Sequence, residues 1–206
     1  MAKITAISVQ ERNKKRCNLF VDDDFFAGIT VETAMKFRLK VGMEVDQSDL
    51  ADILYDNDKL QALEKAISYT TRSIKTKKQV LTYLYGKGYS KDVVDHCVEK
   101  LLEYKLIDDE TYSKRYIESV SKNQGKHLIE FKLMQKGVKK EIIDNAFEDV
   151  EIPSKENARA LALKHFKNKE KTKENVAKTY RYLISKGFTY EEANYAVEIL
   201  RNGDDD

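Results

Sequence analysis

An 18-residue phrase occurs three times in this chain, and no other feature limits the fold as severely. The copies are Leu84–Leu101 (LYGKGYSKDVVDHCVEKL), Leu133–Val150 (LMQKGVKKEIIDNAFEDV) and Leu183–Leu200 (LISKGFTYEEANYAVEIL). Their glycines, Gly88, Gly137 and Gly187, stand 49 and 50 residues apart. A period of that size marks one supersecondary unit stacked on copies of itself, so fold and function are read per repeat. Repeats of this kind usually bind something extended.

Each copy reads as helix, stop, helix. The first helix is expected to end at Lys87, Lys136 or Lys186, with the glycine following at C′, where a left-handed backbone costs glycine little. An apolar residue comes next (Tyr89, Val138, Phe188), and Leu84, Leu133 or Leu183 lies five positions before it. That pairing is the hydrophobic contact of a Schellman cap. The following helix carries one apolar stripe at i, i+3, i+4, i+7: Val94, Cys97, Val98, Leu101, then Ile143, Ala146, Phe147, Val150, then Ala193, Ala196, Val197, Leu200. Ser90 and the Thr189–Glu192 capping box mark two starts, while Lys139 leaves the middle one undefined. The helix before the glycine is expected to begin at Thr76, Gly125 and Asn175. A further helix should precede each phrase, near Leu60–Ser73, Asp109–Ser121 and Asn157–Asn168, the second capped by Asp108.

The first third differs. Lys3–Gln10, Arg16–Asp22 and Phe25–Thr30 alternate apolar and polar residues and read as strands. Met35–Val41 reads as a short helix or turn, and helix resumes from Ser48. The expected fold is mainly α: three tandem three-helix repeats behind a small N-terminal hairpin or three-stranded sheet. The expected divisions are 1–47 (β-rich extension), 48–108, 109–152 and 153–203 (repeats), and 204–206 (acidic tail).

Charged residues make up 35% of the chain, as long solvated helices require. No apolar run approaches the roughly 20 residues of a membrane span, and no signal peptide opens the chain. With Cys17 and Cys97 as its only cysteines, the chain is expected in a reducing cytoplasm. His96, His127 and His165 have no metal-ligand spacing, and there is neither a phosphate-binding glycine loop nor a nucleophile elbow. No enzyme activity, metal or cofactor is expected. Asp108–Asp109–Glu110 reads as a helix cap and first turn.

Net charge is +2, but it is unevenly spread. Residues 155–187 hold ten Lys/Arg against three Glu, with smaller basic groups near Thr71 and Ser121. Tyr69, Tyr116, Phe166, Tyr180 and Tyr182 are interleaved with them. Clustered bases suit a polyanion such as a nucleic-acid backbone, although a run of lysines on a helix also serves simply as a solvated face.

Taken in order, these motifs resemble the RecX family, bacterial regulators of the RecA recombinase. Thr71–Arg72–Ser73, Lys78–Gln79–Val80 and Leu84–Tyr85–Gly86–Lys87–Gly88 resemble one family segment. Leu106–Ile107–Asp108–Asp109 with Tyr112 and Tyr116 resembles a second, and Gly125, Ile129, Leu133 and Lys136–Gly137–Val138 a third. The Ile4–Asp22 strand pair resembles the N-terminal extension of Gram-positive members. The resemblance implies a curved rod of repeats lying in the groove of the RecA–single-stranded DNA filament, inhibiting strand exchange, ATP hydrolysis and co-protease function. DNA repair and the SOS response would be affected in turn. The expected partners are the RecA filament and, weakly and without sequence preference, single-stranded DNA; the chain is expected to be a monomer. Arg72, Lys75 and Lys78, Lys122 and Lys126, and Lys167, Lys169, Lys171 and Lys173 are the expected contacts. An autonomous helix-turn-helix DNA binder and a scaffold for protein helices are the alternatives.

Overall fold

Strand periodicity in the first thirty residues comes out as three strands, and the helices that follow are interrupted by one further two-residue strand. A computed structural model describes residues 1–202 of the chain. The expected acidic tail, Asp204–Asp206, lies outside the described residues. Two compact units are formed, residues 1–74 with 80–107, and residues 75–79 with 108–202.

The first unit opens with β1 (Ala2–Val9), β2 (Arg16–Val21) and β3 (Asp24–Thr30), followed by α1 (Val31–Lys36) and β4 (Glu44–Val45). The antiparallel sheet runs β3-β2-β1-β4, one strand more than the sequence suggested. The missed strand is only two residues long, too short for a period-two signal. Asp22 and Asp23 take φ of 50° and 70° and close a two-residue hairpin, whose left-handed turn matches the strand twist. Alternate β2 residues Cys17, Leu19 and Val21 are buried with Ile4, Ile29, Val45 and Ile53.

The short helix expected at Met35–Val41 starts earlier, because Thr30 Oγ1 accepts from Thr33 N and caps it. The helix expected at Leu60–Ser73 is instead the 26-residue α2 (Gln47–Arg72). Its start is an Asp46–Asp49 capping box, with Asp in place of the usual Glu or Gln at the third position. The first half of α2 packs Ile53 on the sheet, and Asn57 Oδ1 accepts from Thr30 N at 3.0 Å. The second half gives Ala62 and Ala66 to a core shared with α3 (Lys77–Tyr85) and α4 (Lys91–Glu103). One continuous helix thus serves both sheet and first repeat.

The second unit holds α5 (Asp109–Val120), α6 (Lys126–Gln135), α7 (Lys140–Asp149), α8 (Ser154–Phe166), α9 (Lys173–Ser185) and α10 (Tyr190–Asn202). Ile117, Ile129, Leu133, Val138, Ile143 and Ala146 form one core; Ala158, Leu161, Ala162, Val176, Leu183, Phe188, Ala193, Ala196, Val197 and Leu200 form another. Two expected starts are corrected. The α8 helix begins at Ser154, after Pro153, and not at Asn157. The α9 helix is capped by Thr172, whose side chain accepts from Asn175 N, so Asn175 is helix interior and not the cap.

Candidate binding surface of the repeats

The repeat glycine is the element from which the surface is built. Gly88, Gly137 and Gly187 sit at φ of 84°, 85° and 85°. At each, the glycine N–H donates to the carbonyl three residues back (Tyr85, Met134 or Ile184 O), and the next N–H reaches five back to Leu84, Leu133 or Leu183 O at 3.4, 3.1 and 3.2 Å. Those two bonds define a Schellman cap.

Two of the caps also receive the start of another helix. Gly125 N donates to Lys186 O at 2.9 Å and His127 N to Gly187 O at 3.1 Å, so the α6 N-terminus sits on the α9 C-terminus. Thr76 Oγ1 donates to Lys136 O at 2.7 Å and Lys78 Nζ to Gln135 O at 3.3 Å, placing residues 76–78 on the α6 C-terminus. At the first junction orphan backbone donors meet orphan acceptors, and at the second a hydroxyl and an ammonium serve as the donors. The approach is tight. A Cβ on Gly125 would lie 2.3 Å from Phe188 N, and one on Gly187 2.3 Å from Leu128 N. Gly125 is thus required by close approach, beyond the cap role expected of it. A Cβ on Gly88 would meet nothing within 4 Å among the described residues.

Lys78, Lys126 and their neighbours therefore lie at equivalent junctions between repeats. Lys78 is exposed but its ammonium is engaged on the α6 terminus. Lys126 is exposed, 3.9 Å from Glu130 and 5.1 Å from the Phe147 ring centroid. Lys122 is exposed just before that junction. Lys167, Lys171 and Lys173 are exposed along the α8–α9 connection, whereas Lys169 is half-buried. Arg72, exposed at the end of α2, belongs to the first unit, and Lys75 is half-buried in the second.

Lys169 has a defined role. Its Nζ lies 2.9 Å from His165 Nε2, and His165 Nδ1 lies 3.1 Å from Thr179 Oγ1. Thr179 Oγ1 donates to Asn175 O, so it accepts from the imidazole, and Nε2 is left to accept from the ammonium. Burial, reinforced by Lys169, holds the His165 pKa below its ordinary value.

The acidic cluster is structural, in part as expected. Asp108 Oδ1 accepts from Glu110 N, and Thr111 Oγ1 donates to Asp108 Oδ2, an arrangement that keeps the carboxyl pKa low. Asp109 goes further: its Oδ1 accepts from Lys77 N at 2.9 Å, tying α5 to the start of α3. Desolvation raises its pKa. Among the described residues no His/Cys/Asp/Glu group has a metal-binding arrangement, and no helix is long and apolar enough to cross a membrane.

Family models match four successive segments of the chain. The model of the regulatory protein RecX N-terminal domain matches residues 2–46. Models of the first, second and third three-helix domains of RecX match residues 62–101, 108–146 and 154–197. The regulatory protein RecX of Clostridium tetani is 35% identical over 98% of this chain and 96% of its own length. That of Clostridium botulinum strain Alaska E43 is 37% identical over 93% of this chain and 92% of its own. A crystal structure of regulatory protein RecX, 25% identical, superposes with a TM-score of 0.72 over 96% of this chain and all of the other. RecX from Lactobacillus salivarius, at 22% identity, shares the fold with a TM-score of 0.63 over 70% of this chain and 97% of its own.

Proposed function

The chain belongs to the RecX family of regulatory proteins, and from that premise we propose that it binds the RecA–single-stranded DNA filament and restrains its recombination, ATPase and co-protease activities. The observation that carries this reading is the presence of all four RecX segments, in order, along one chain. The junctions between repeats support it, because each carries exposed lysines, Lys78 at one and Lys122 and Lys126 at the other. Basic side chains recurring along repeats suit an extended anionic partner.

In this reading residues 48–108, 109–152 and 153–203 act as three successive binding modules and 1–47 as an N-terminal extension, in a monomer working in the cytoplasm. Arg72, Lys75, Lys78, Lys122, Lys126, Lys167, Lys169, Lys171 and Lys173 face the filament. Contacts to phosphate carry no sequence information, so free DNA is bound weakly and without preference.

The test is RecA ATPase and strand exchange on single-stranded DNA with increasing amounts of this protein. Inhibition is expected well below one protein per recombinase binding site; full activity at saturation refutes the proposal. Glu at Lys169, Lys171 and Lys173 should weaken filament binding and flatten its salt dependence by about 0.7 per lost phosphate contact. Glu at Lys14 and Lys15 is the control. Arg16 is omitted from it, because its guanidinium donates to Gln61 Oε1 at 2.6 Å and Gly28 O at 2.7 Å and holds β2, β3 and α2 together.

A further inference from the structure

The same three-part arrangement of rings and a lysine occurs once in every repeat. In the first, Tyr69 of α2 and Tyr83 of α3 lie with centroids 4.3 Å apart and planes 8° from parallel. In the second, Tyr112 and Tyr116 of α5 lie 6.1 Å apart at 10°. In the third, His165 of α8 and Tyr182 of α9 lie 4.1 Å apart at 6°. Over one ring of each pair stands the lysine that precedes the repeat glycine. Lys87 Nζ is 5.7 Å from the Tyr83 centroid, Lys136 Nζ 5.7 Å from Tyr116, and Lys186 Nζ 5.2 Å from Tyr182.

Two facts separate these sets from ordinary core packing. All six rings are half-buried, unlike the leucines beside them, which are closed off completely. The arrangement also persists where its source changes. Tyr83 and Tyr182 stand five residues before the glycine, but in the middle copy that place is Lys132, and α5 supplies the ring instead. In the middle copy both rings of the pair come from one helix, α5, and the ammonium stands over Tyr116.

We propose that these three sets are nucleotide subsites for single-stranded nucleic acid, in which a base stacks on the tyrosine-bearing pair and the lysine turns from the ring to the adjoining phosphate. Every base offers a π face, so stacking on an aromatic tolerates any sequence, while the ammonium supplies the backbone contact. The ring quadrupole holds the lysine at the subsite until the phosphate arrives. In the third set Lys169, donating to His165, joins the basic run of residues 167–173 to the subsite. This inference rests on the reading that a single-stranded DNA filament is the partner, and adds that the protein touches the bases.

The experiment uses the full chain and a fluorescent oligo(dT), with no recombinase present. Leu at Tyr83, Tyr116 and Tyr182 together should weaken binding at least five-fold, the low end of what losing even one base–ring stack costs, with the salt slope unchanged. Phe at the same positions should bind as the unaltered protein does. Gln at Lys87, Lys136 and Lys186 should instead flatten the salt slope. Because a Leu variant could lose its fold, 5-iodouracil oligonucleotides are also crosslinked to the unaltered protein, and adducts are expected on these tyrosines. Wild-type affinity in a folded Leu variant, or adducts confined to other residues, overturns the proposal. So does a Leu variant that loses recombinase-filament binding while holding free oligonucleotide normally, which would assign the rings to a protein contact. Failure of the unaltered protein to inhibit RecA would strike the function proposed above and leave the oligonucleotide result standing separately.

Discussion

Replacing each repeat glycine with alanine makes a graded test of how the repeats are joined. The three positions share one motif and nearly one φ, so the cost of forcing alanine into the left-handed region is common to all, about 1–2 kcal/mol. Part of it is offset by the lower entropy of the unfolded chain, about 0.4–1 kcal/mol. At Gly88 nothing further is met, and a net loss of about 1 kcal/mol is expected. At Gly137 the new Cβ would lie 2.4 Å from Lys78 Cβ and 2.3 Å from Lys78 Cδ. The stem can rotate, but its first carbon cannot leave without moving the backbone, so overpacking adds to the loss. At Gly187 the neighbours are Leu128 N at 2.3 Å, Leu128 Cβ at 2.5 Å and Leu128 Cα at 2.9 Å. No side-chain rotation relieves that, and the α6 start must lift off the α9 cap. Overpacking of about 1–3 kcal/mol then joins the loss of two backbone hydrogen bonds, about 0.5–1.5 kcal/mol each. Added to the common loss of about 1 kcal/mol, the total at Gly187 is about 3–7 kcal/mol. Urea unfolding followed at 222 nm gives the order Gly88 < Gly137 < Gly187. Hydrogen exchange of the α6 amides should accelerate in Gly187→Ala and stay normal in Gly88→Ala. Equal losses at all three sites, or Gly88→Ala as the costliest, would refute the contacts made on the α6 and α9 caps.

Three further outcomes are expected. Arg16→Ala leaves Gly28 O and Gln61 Oε1 without their donor and should cost about 1–3 kcal/mol, a loss that Lys, lacking the fork, restores poorly; an unchanged urea midpoint would disprove the role. Burial raises the Cys17 pKa and pushes the Cys97 thiol up to about 11, so Ellman's reagent at pH 8 should label neither until the chain unfolds, and rapid labelling of the native protein would contradict the packing. The His165 pKa lies below its ordinary 6.5, so the unfolded chain binds the proton more readily. That contribution to stability is present above pH 6.5 and lost as the pH falls from there through the folded value; His165→Phe should remove this part of the pH dependence, and an identical pH profile in the variant would exclude it.

What the sequence determined by itself is what repeats locally. The glycine stops, the apolar stripes of α4, α7 and α10 and the caps at Asp108 and Thr189 each depend on residues within one or two turns, and their letters recur where their geometry recurs. The same holds for the N-terminal strands, whose alternation survives in the buried Cys17, Leu19 and Val21. Helix starts were less legible wherever an unusual cap competed. Asp46–Asp49 sets the start of α2 and Thr172 that of α9, each about a turn or more ahead of the first strongly apolar position. Only the tertiary structure decided what the motif is for. Gly125 and Thr76 look like interchangeable N-caps in the sequence, yet one is compelled by a carbonyl 2.4 Å from its absent Cβ and the other donates to Lys136 O. Asp109 looks like a first-turn acid, but its carboxylate holds the Lys77 amide. The ring pairs are invisible for the same reason, since Tyr69 with Tyr83 and His165 with Tyr182 are partners across two helices. A cap is closed by neighbours along the chain and is therefore written in spacing. A junction is closed by groups about 60 residues apart, as Thr76 and Lys136 are, and only packing brings them within hydrogen-bonding distance.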